Sequence, residues 1–274
     1  MAMNSITLTS GMRQNLFSLQ QTSKMMETTQ NRLSTGKKVN SALDDPINFF
    51  AAQGHTQRAG DLAMRKDEMG EAIQTIKAAN NGIEAITDMI ASAKSLAQSA
   101  LATSDTAGGG ERSKLKTQFG NMMTQINQLR DDAGYKGTNL LNTTNSITVS
   151  FDESGESTLA VEGADGTGGL ESATLADDWA TDANVTADIK ALDDARDALR
   201  TSAKTLSNQL STITIRQDFT SKMINTLEDG AANLVNADLN EEGANMLMLQ
   251  TRQSLGTTSL SLASQAAQSV MRLF

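Results

Sequence analysis

An apolar repeat with a period of seven residues is the feature that most constrains this chain. Apolar residues recur at every seventh position, at Leu62, Met69, Ile76, Ile83, Ile90 and Ala97. A companion stripe follows three residues later, at Ala72, Ala79, Ile86, Ala93 and Ala100. On an α-helix these stripes form one seam that other helices must cover. The spacing predicts a single helix from about Ile47 to Ala102, roughly 80 Å long at ~1.5 Å per residue.

The same kind of repeat returns from about Val185 and predicts a second long helix. Its apolar positions are Leu192, Leu199, Ala203, Leu206, Leu210, Ile213, Ile224, Leu227, Ala231 and Leu234. Arg196, Gln217 and Thr220 interrupt this seam, and polar residues at seam positions can set the register of paired helices at some cost in stability. The two long helices can pair antiparallel, which would bring both chain ends to one pole.

Two further signals place the elements around the first long helix. The single proline, Pro46, follows Asp44 and Asp45 and predicts a helix start with an acidic N-cap. After a predicted turn over 104–110, a shorter apolar repeat predicts a helix that ends near Gly134 and folds back on the first. That repeat consists of Leu115, Phe119, Met122, Ile126, Leu129 and Ala133.

The middle of the chain changes its period and its charge. Ile147, Val149 and Phe151 alternate with polar residues, and Leu159 and Val161 do so after a turn. This alternation predicts a β-hairpin. Ten acidic residues and no Lys or Arg lie between positions 141 and 189, whereas the whole chain has a net charge of −9. We therefore expect this segment to face solvent.

Each end of the chain carries an amphipathic strip with little charge. Steps of three and four residues connect apolar positions near both ends, with polar Ser23 and Gln30 filling the skipped positions of the first strip. A second stripe in the tail contains Met248, Leu255, Leu262, Ala266 and Leu273, which indicates more than one packing neighbour. We expect self-assembly through Met12, Leu16, Leu19, Met26, Leu33, Met246, Leu249, Leu260, Ala263, Ala267, Val270 and Phe274.

These patterns predict a mainly α fold in which long antiparallel coiled-coil helices carry a small β-hairpin insert. We expect three parts. Residues 1–35 with 236–274 would form a terminal coiled-coil domain, and residues 36–140 with 185–235 a helical rod. Residues 141–184 would form a surface-exposed insert with the hairpin and the acidic stretch.

Several classes of function find no support in the residues. The chain has no cysteine and a single histidine, His55, so thiol chemistry, zinc–thiolate sites and a Ser–His–Asp triad are not expected. The glycines at 108–110 lack the Lys and Ser/Thr of a phosphate-binding loop. We expect no enzymatic activity, cofactor or metal site. We also expect no nucleic-acid partner, because no basic patch interleaved with aromatics is present, and no membrane span or cleavable signal peptide.

At both ends the residues resemble bacterial flagellins. The stretch NRLSTGKKVNSALDD at positions 31–45 is similar to the family's RLSSGxRINSAxDD signature, and Met3 to Ile6 resembles the family's opening. Near the other end, the family's closing pattern is matched at 237–239, 242–244, 249–250, 255–256 and the final Leu-Phe. The short middle and the style of the tail look most like flagellins of alphaproteobacteria.

The resemblance implies a structural protein that self-assembles into the flagellar filament, the propeller of swimming motility. It also implies a secreted, extracellular homopolymer whose subunits leave the cell through the flagellar type III export apparatus. An export chaperone and the hook-associated and cap proteins are implied as further partners. The nearest alternative is the hook–filament junction protein, a flagellin relative with similar ends. A cytoplasmic coiled-coil adaptor is the alternative from another class.

The expected mechanism of assembly is burial of the terminal strips. A monomer would leave these strips wet and disordered. Polymerisation would let many copies cover them at once, with gains from helix formation and from apolar burial.

Overall fold

A computed structural model describes residues 10–103, 110–171, 175 and 178–271. The described residues form a mainly helical structure with one antiparallel pair of strands, as predicted. The elements in chain order are α1 (Ser10–Thr35), α2 (Pro46–Ala102), α3 (Glu111–Asp132), β1 (Ser146–Ser150), β2 (Thr158–Glu162), α4 (Asp182–Val235) and α5 (Leu239–Met271). The turn predicted over 104–110 lies mostly outside the described residues.

The long helix predicted from about Ile47 to Ala102 is confirmed as one uninterrupted element. It starts at Pro46, and the carboxylate of Asp45 accepts the backbone N–H of Asn48 at 3.1 Å. This contact satisfies a donor of the first helical turn that has no partner inside the helix, so the predicted acidic N-cap is also confirmed. All eleven positions of the two stripes between 62 and 100 are buried.

The chain divides into two compact units. Unit 1 contains residues 1–57 and 227–274, and unit 2 contains residues 58–226. The divisions fall inside α2 and α4, away from the boundaries of the three predicted parts. The three-part division itself stays a prediction.

Unit 2 is a bundle of three helices with the hairpin packed against it. Lys94 of α2 forms an ion pair with Asp193 of α4 at 2.6 Å, and the side-chain amide of Gln217 donates to the carbonyl of Lys66 at 3.2 Å. The residue number on α4 rises from 193 to 217 as the number on α2 falls from 94 to 66, so α2 and α4 run antiparallel, as predicted. The core includes Met69, Ile76, Ile86, Phe119, Ile126, Leu192, Leu199 and Leu206, all fully buried.

The hairpin has the predicted strands, and one of its faces is buried. Ile147 is opposite Val161, and Val149 is opposite Leu159. Val149, Val161 and the following Phe151 are buried in the core of unit 2. The expectation that the whole insert faces solvent is therefore wrong for this face of the hairpin. Successive side chains of a strand point to opposite faces, and the face that carries these apolar residues packs on the helices.

The acidic stretch is also less solvated than its composition suggested. Asp188 is buried, accepts the indole N–H of Trp179 at 2.8 Å and lies 3.3 Å from the ammonium of Lys116. Glu171 pairs with Arg130. The bases that neutralise these two carboxylates, Lys116 and Arg130, belong to α3, which lies outside positions 141–189.

A buried arginine closes the end of the bundle where α2 stops and α3 and α4 begin. The guanidinium of Arg112 donates to the carbonyls of Ala100, at 3.1 Å, and Thr103, at 3.3 Å. It also reaches the carboxylate of Asp182 at 2.7 Å. The first of these carbonyls lies in the last turn of α2 and has no partner inside that helix, and the second belongs to the residue that follows α2.

Candidate assembly surface

In unit 1, α1 and α5 pair antiparallel over their length. Arg32 forms an ion pair with Glu242 at 2.8 Å, and the side-chain amide of Asn15 donates to the hydroxyl of Ser259 at 3.2 Å. The two residue numbers sum to 274 in both contacts, so the helices keep one register from one contact to the other. Between the two, a Cβ placed on Gly256 would lie 2.6 Å from a methyl group of Leu19. Gly256 therefore lets the Leu19 side chain lie against the backbone of α5.

The segment that follows α1 and the segment that precedes α5 are also hydrogen bonded to each other. Lys37 and Asn236 form an antiparallel bridge. The N–H of Lys38 donates to the carbonyl of Val235 at 2.8 Å, and that of Ala237 to the carbonyl of Gly36 at 2.9 Å. Gly36 has a φ of +70°, which is easily adopted by glycine alone. This glycine follows the last residue of α1, Thr35.

The seam between α1 and α5 is unusually polar. Met12 and Leu249 are buried, and so are Thr22 and Thr29. The prediction that Ser23 and Gln30 fill the skipped seam positions is wrong, since both are exposed and the threonines one residue earlier take those places. The error comes from Leu16, which the prediction placed in the seam. Ser23 and Gln30 follow Leu16 at steps of seven, but Leu16 itself lies outside the seam and is 41% exposed.

The structure places the predicted assembly residues in three classes. Met12 and Leu249 are buried between the helices and Leu16 is exposed. Those that are half-buried are Leu19, Met26, Leu33, Met246, Leu260, Ala263 and Ala267. The side chain of Val270 and the whole of Phe274 lie outside the described residues. The role in assembly of all twelve residues stays a prediction.

The second stripe predicted for the tail forms an exposed outer face on α5. Met248, Leu255 and Leu262 are spaced by seven residues and each is more than half exposed. Leu247 lies beside them and is also exposed. One face of α5 therefore packs on α1 and another carries large apolar side chains into solvent. The expectation of disordered strips differs from the structure, in which both strips are helical because each covers part of the other.

The sequence reading missed an exposed apolar cluster at the start of α2. Leu43, Ile47 and Phe50 are 95%, 81% and 59% exposed. The spacing of Ile47 and Phe50 was a readable signal, since residues three apart lie on one helical face, and Leu43 lies in the turn that precedes α2. It was overlooked because the neighbouring Asp44, Asp45 and Pro46 were read only as a helix start.

A polar cleft of about 880 Å³ lies beside the Arg32–Glu242 pair in unit 1. Its walls include Lys38, Asp44 and Asp238. The pKa of Asp44 is held below its usual value because its carboxylate accepts the backbone N–H groups of Asn40 and Ser41. Among the described residues, no three His, Cys, Asp or Glu side chains are grouped to hold a metal ion. No described helix is long and apolar enough to cross a bilayer.

Comparison with known proteins identifies the family of this chain. Residues 4–146 match the family described as bacterial flagellin N-terminal helical region. Flagellin FljM of Caulobacter vibrioides is 30% identical over 275 residues, which cover 100% of both chains. This chain belongs to the bacterial flagellin family. A second similar flagellin, from Brucella melitensis, is 27% identical and covers 94% of this chain and 95% of its own length.

Membership of the flagellin family gives the chain a role. The chain is a structural subunit of the flagellar filament, as the resemblance at its two ends implied. None of these findings favours the hook–filament junction alternative. The relatives come from alphaproteobacteria, which agrees with the placement suggested by the short middle and the tail.

Proposed function

We propose that the α1–α5 pair, with the exposed outer face of α5, is the element through which flagellin subunits assemble. The observation that carries this proposal is the distribution of large apolar side chains left in solvent. Of the fourteen that are exposed among the described residues, seven lie on α1 or α5. The seven are Leu16, Phe17, Leu239, Leu247, Met248, Leu255 and Leu262.

Burial of the outer face supplies the driving force for elongation. Removing apolar surface from water is worth about 25 cal/mol per Å², and large exposed patches on a soluble chain indicate a contact surface. Each added subunit covers part of this face on a neighbour and has its own face covered in turn. Filament growth requires such head-to-tail contacts, in which two different surfaces meet.

We further infer from membership of the flagellin family that the subunit works outside the cell. The chain is exported through the flagellar type III apparatus with the help of a chaperone, and it meets hook-associated and cap proteins at the ends of the filament. The absence of cysteine suits passage through a narrow channel in an unfolded state. In the filament, the α1–α5 pair lies in the core, and the exposed residues of 141–184 stay in solvent.

Seeded elongation of the purified full chain tests the assembly proposal. Leu260→Asp places a charge at a half-buried position of the α1–α5 seam. We expect no filaments by electron microscopy and an unchanged fluorescence of Trp179, which is buried in unit 2. Leu101→Asp, at an exposed position of unit 2, is the matched control, and this variant should elongate normally. Normal filaments from Leu260→Asp would refute the proposal.

A further inference from the structure

Leu43, Ile47 and Phe50, here called the Leu43 patch, lie outside the residues predicted for assembly. Leu43 and Ile47 are the two most exposed large apolar side chains among the described residues. The ring of Phe50 packs edge-on against the ring of Phe49, and the two ring centroids are 5.5 Å apart. The patch therefore consists of three large apolar groups that one helical face and the turn before it hold in water.

The turn that carries Leu43 is firmly built. The carboxylate of Asp44 accepts the backbone N–H groups of Asn40, at 3.0 Å, and Ser41, at 2.9 Å. Asp45 accepts the backbone N–H of Asn48, and Pro46 fixes the first residue of α2. Two carboxylates and a proline thus hold in place a turn whose leucine contributes nothing to the core. Such an arrangement is preorganised for a contact with another molecule.

The charges around the patch favour a protein surface as the partner. Positions 39–57 contain no Lys or Arg and include Asp44 and Asp45. Binding at an anionic lipid surface relies on free basic side chains. The two bases that act on these carboxylates are engaged within unit 1, since Arg32 pairs with Glu242 and Lys38 donates to the carbonyl of Asn233. Both carboxylates are turned to the chain's own backbone N–H groups, which leaves the apolar side chains to meet the partner.

We propose that the Leu43 patch docks on a different apolar surface of a second copy of this chain in the filament. This inference rests on the proposed assembly function and adds a second contact to that of the α5 outer face. A patch that bound the same patch of its neighbour would close a two-fold dimer and stop growth. The contact is therefore head-to-tail, and the patch is buried only when a filament forms.

Seeded elongation with variants at position 43 tests the inference. Leu43→Ser removes the apolar group, and Leu43→Met retains one of similar size. We expect Leu43→Ser to raise the critical concentration about tenfold or more, and Leu43→Met to leave it near that of the wild type. Because Leu43 is almost fully exposed, the circular dichroism spectra of the monomers should not differ. Equal critical concentrations for Leu43→Ser and the wild type would overturn the inference.

A photo-reactive benzophenone amino acid at position 43, mixed in small proportion into wild-type filaments, identifies what covers the patch. The expected product is a cross-link from position 43 to another segment of a second copy, present in filaments and absent from monomers. Cross-links within one chain only, to another position 43, or to a different protein would each contradict the inference. If wild-type chains fail to elongate, the assembly proposal itself is refuted. Elongation that is indifferent to position 43 refutes this inference alone.

Discussion

At the scale of single residues, glycines between the hairpin and α4 show how closely this segment packs. A Cβ on Gly168 would lie 2.3 Å from the carbonyl oxygen of Ala195, and one on Gly163 would lie 2.1 Å from that of Asn142. Gly168 also has a φ of +64°. The glycine-rich stretch at 163–169 therefore packs closely against α4 and against the segment that precedes β1. Composition alone could not reveal this, because a loop in solvent and a packed backbone can both require glycine.

Gly168→Ala and Gly169→Ala separate the cost of backbone strain from that of a clash. Both glycines have positive φ, but a Cβ on Gly169 has nothing within 4 Å. We expect Gly169→Ala to lower the free energy of unfolding of unit 2 by about 1 kcal/mol. Gly168→Ala should lower it by about 3 kcal/mol or more, because the carbonyl of Ala195 must also move. Urea unfolding followed by Trp179 fluorescence measures both, and equal losses would contradict the packed arrangement.

The carboxylate of Asp44 makes a prediction about pH at the same scale. Hydrogen bonds from the backbone N–H groups of Asn40 and Ser41 lower its pKa from the ordinary value of 3.8. A lowered pKa in the folded state means that the stabilisation is complete above about pH 3.8 and is lost as the pH falls through the folded value. The amide resonances of Asn40 and Ser41 should therefore titrate together with a midpoint below pH 3.8. A midpoint at or above that value, or an unchanged titration in Asp44→Asn, would contradict the described turn.

At the scale of elements, a strict repeat was a better guide than a weak one. In α2 every position of the two stripes is apolar and buried, so the period determines both the element and its face. In α1 the seam alternates apolar residues with Thr22 and Thr29, and a hydrophobic pattern gives polar seam positions no weight. The same limit explains the missed Leu43 patch, because exposure of an apolar side chain depends on what fails to cover it.

Polar contacts along the α1–α5 seam are expected to set its register, because the apolar residues there are few. Asn15 with Ser259 and Arg32 with Glu242 hold the two ends of the pair in one alignment. Polar groups at helix interfaces commonly select one register in this way. Any other alignment would leave the carboxylate of Glu242, which is almost fully buried, without its base.

A double-mutant cycle on Arg32→Met and Glu242→Gln measures this contribution. We expect a coupling energy of about 1–2 kcal/mol, read from hydrogen exchange of the α1 and α5 amides. The exposed pair of Lys190 and Asp194 on α4 is the control, and Lys190→Met with Asp194→Asn should couple by less than about 0.5 kcal/mol. Coupling at the α1–α5 pair no larger than at this control would remove its role in setting register.

At the scale of the whole molecule, the two units differ in how they satisfy their apolar residues. Unit 2 buries most of the core of the described chain, including the long stripes of α2 and α4. Unit 1 buries few large side chains and exposes many. This division fits the proposed function, because unit 2 has a buried core of its own and assembly would let unit 1 complete its burial against neighbours. The sequence predicted the role of the ends through their two stripes and the family motifs. It did not reveal how α1 and α5 share the inner stripe, which depends on side-chain contacts between distant segments.

Hydrogen–deuterium exchange of the monomer and of the seeded filament tests this division most directly. We expect amides of α1, of α5 and of residues 40–50 to gain strong protection on assembly. Amides in the core of unit 2, such as those around Ile86 and Leu199, should change little because they are already buried. Gains confined to unit 2, with α1 and α5 exchanging equally in both states, would contradict assembly through the terminal helices.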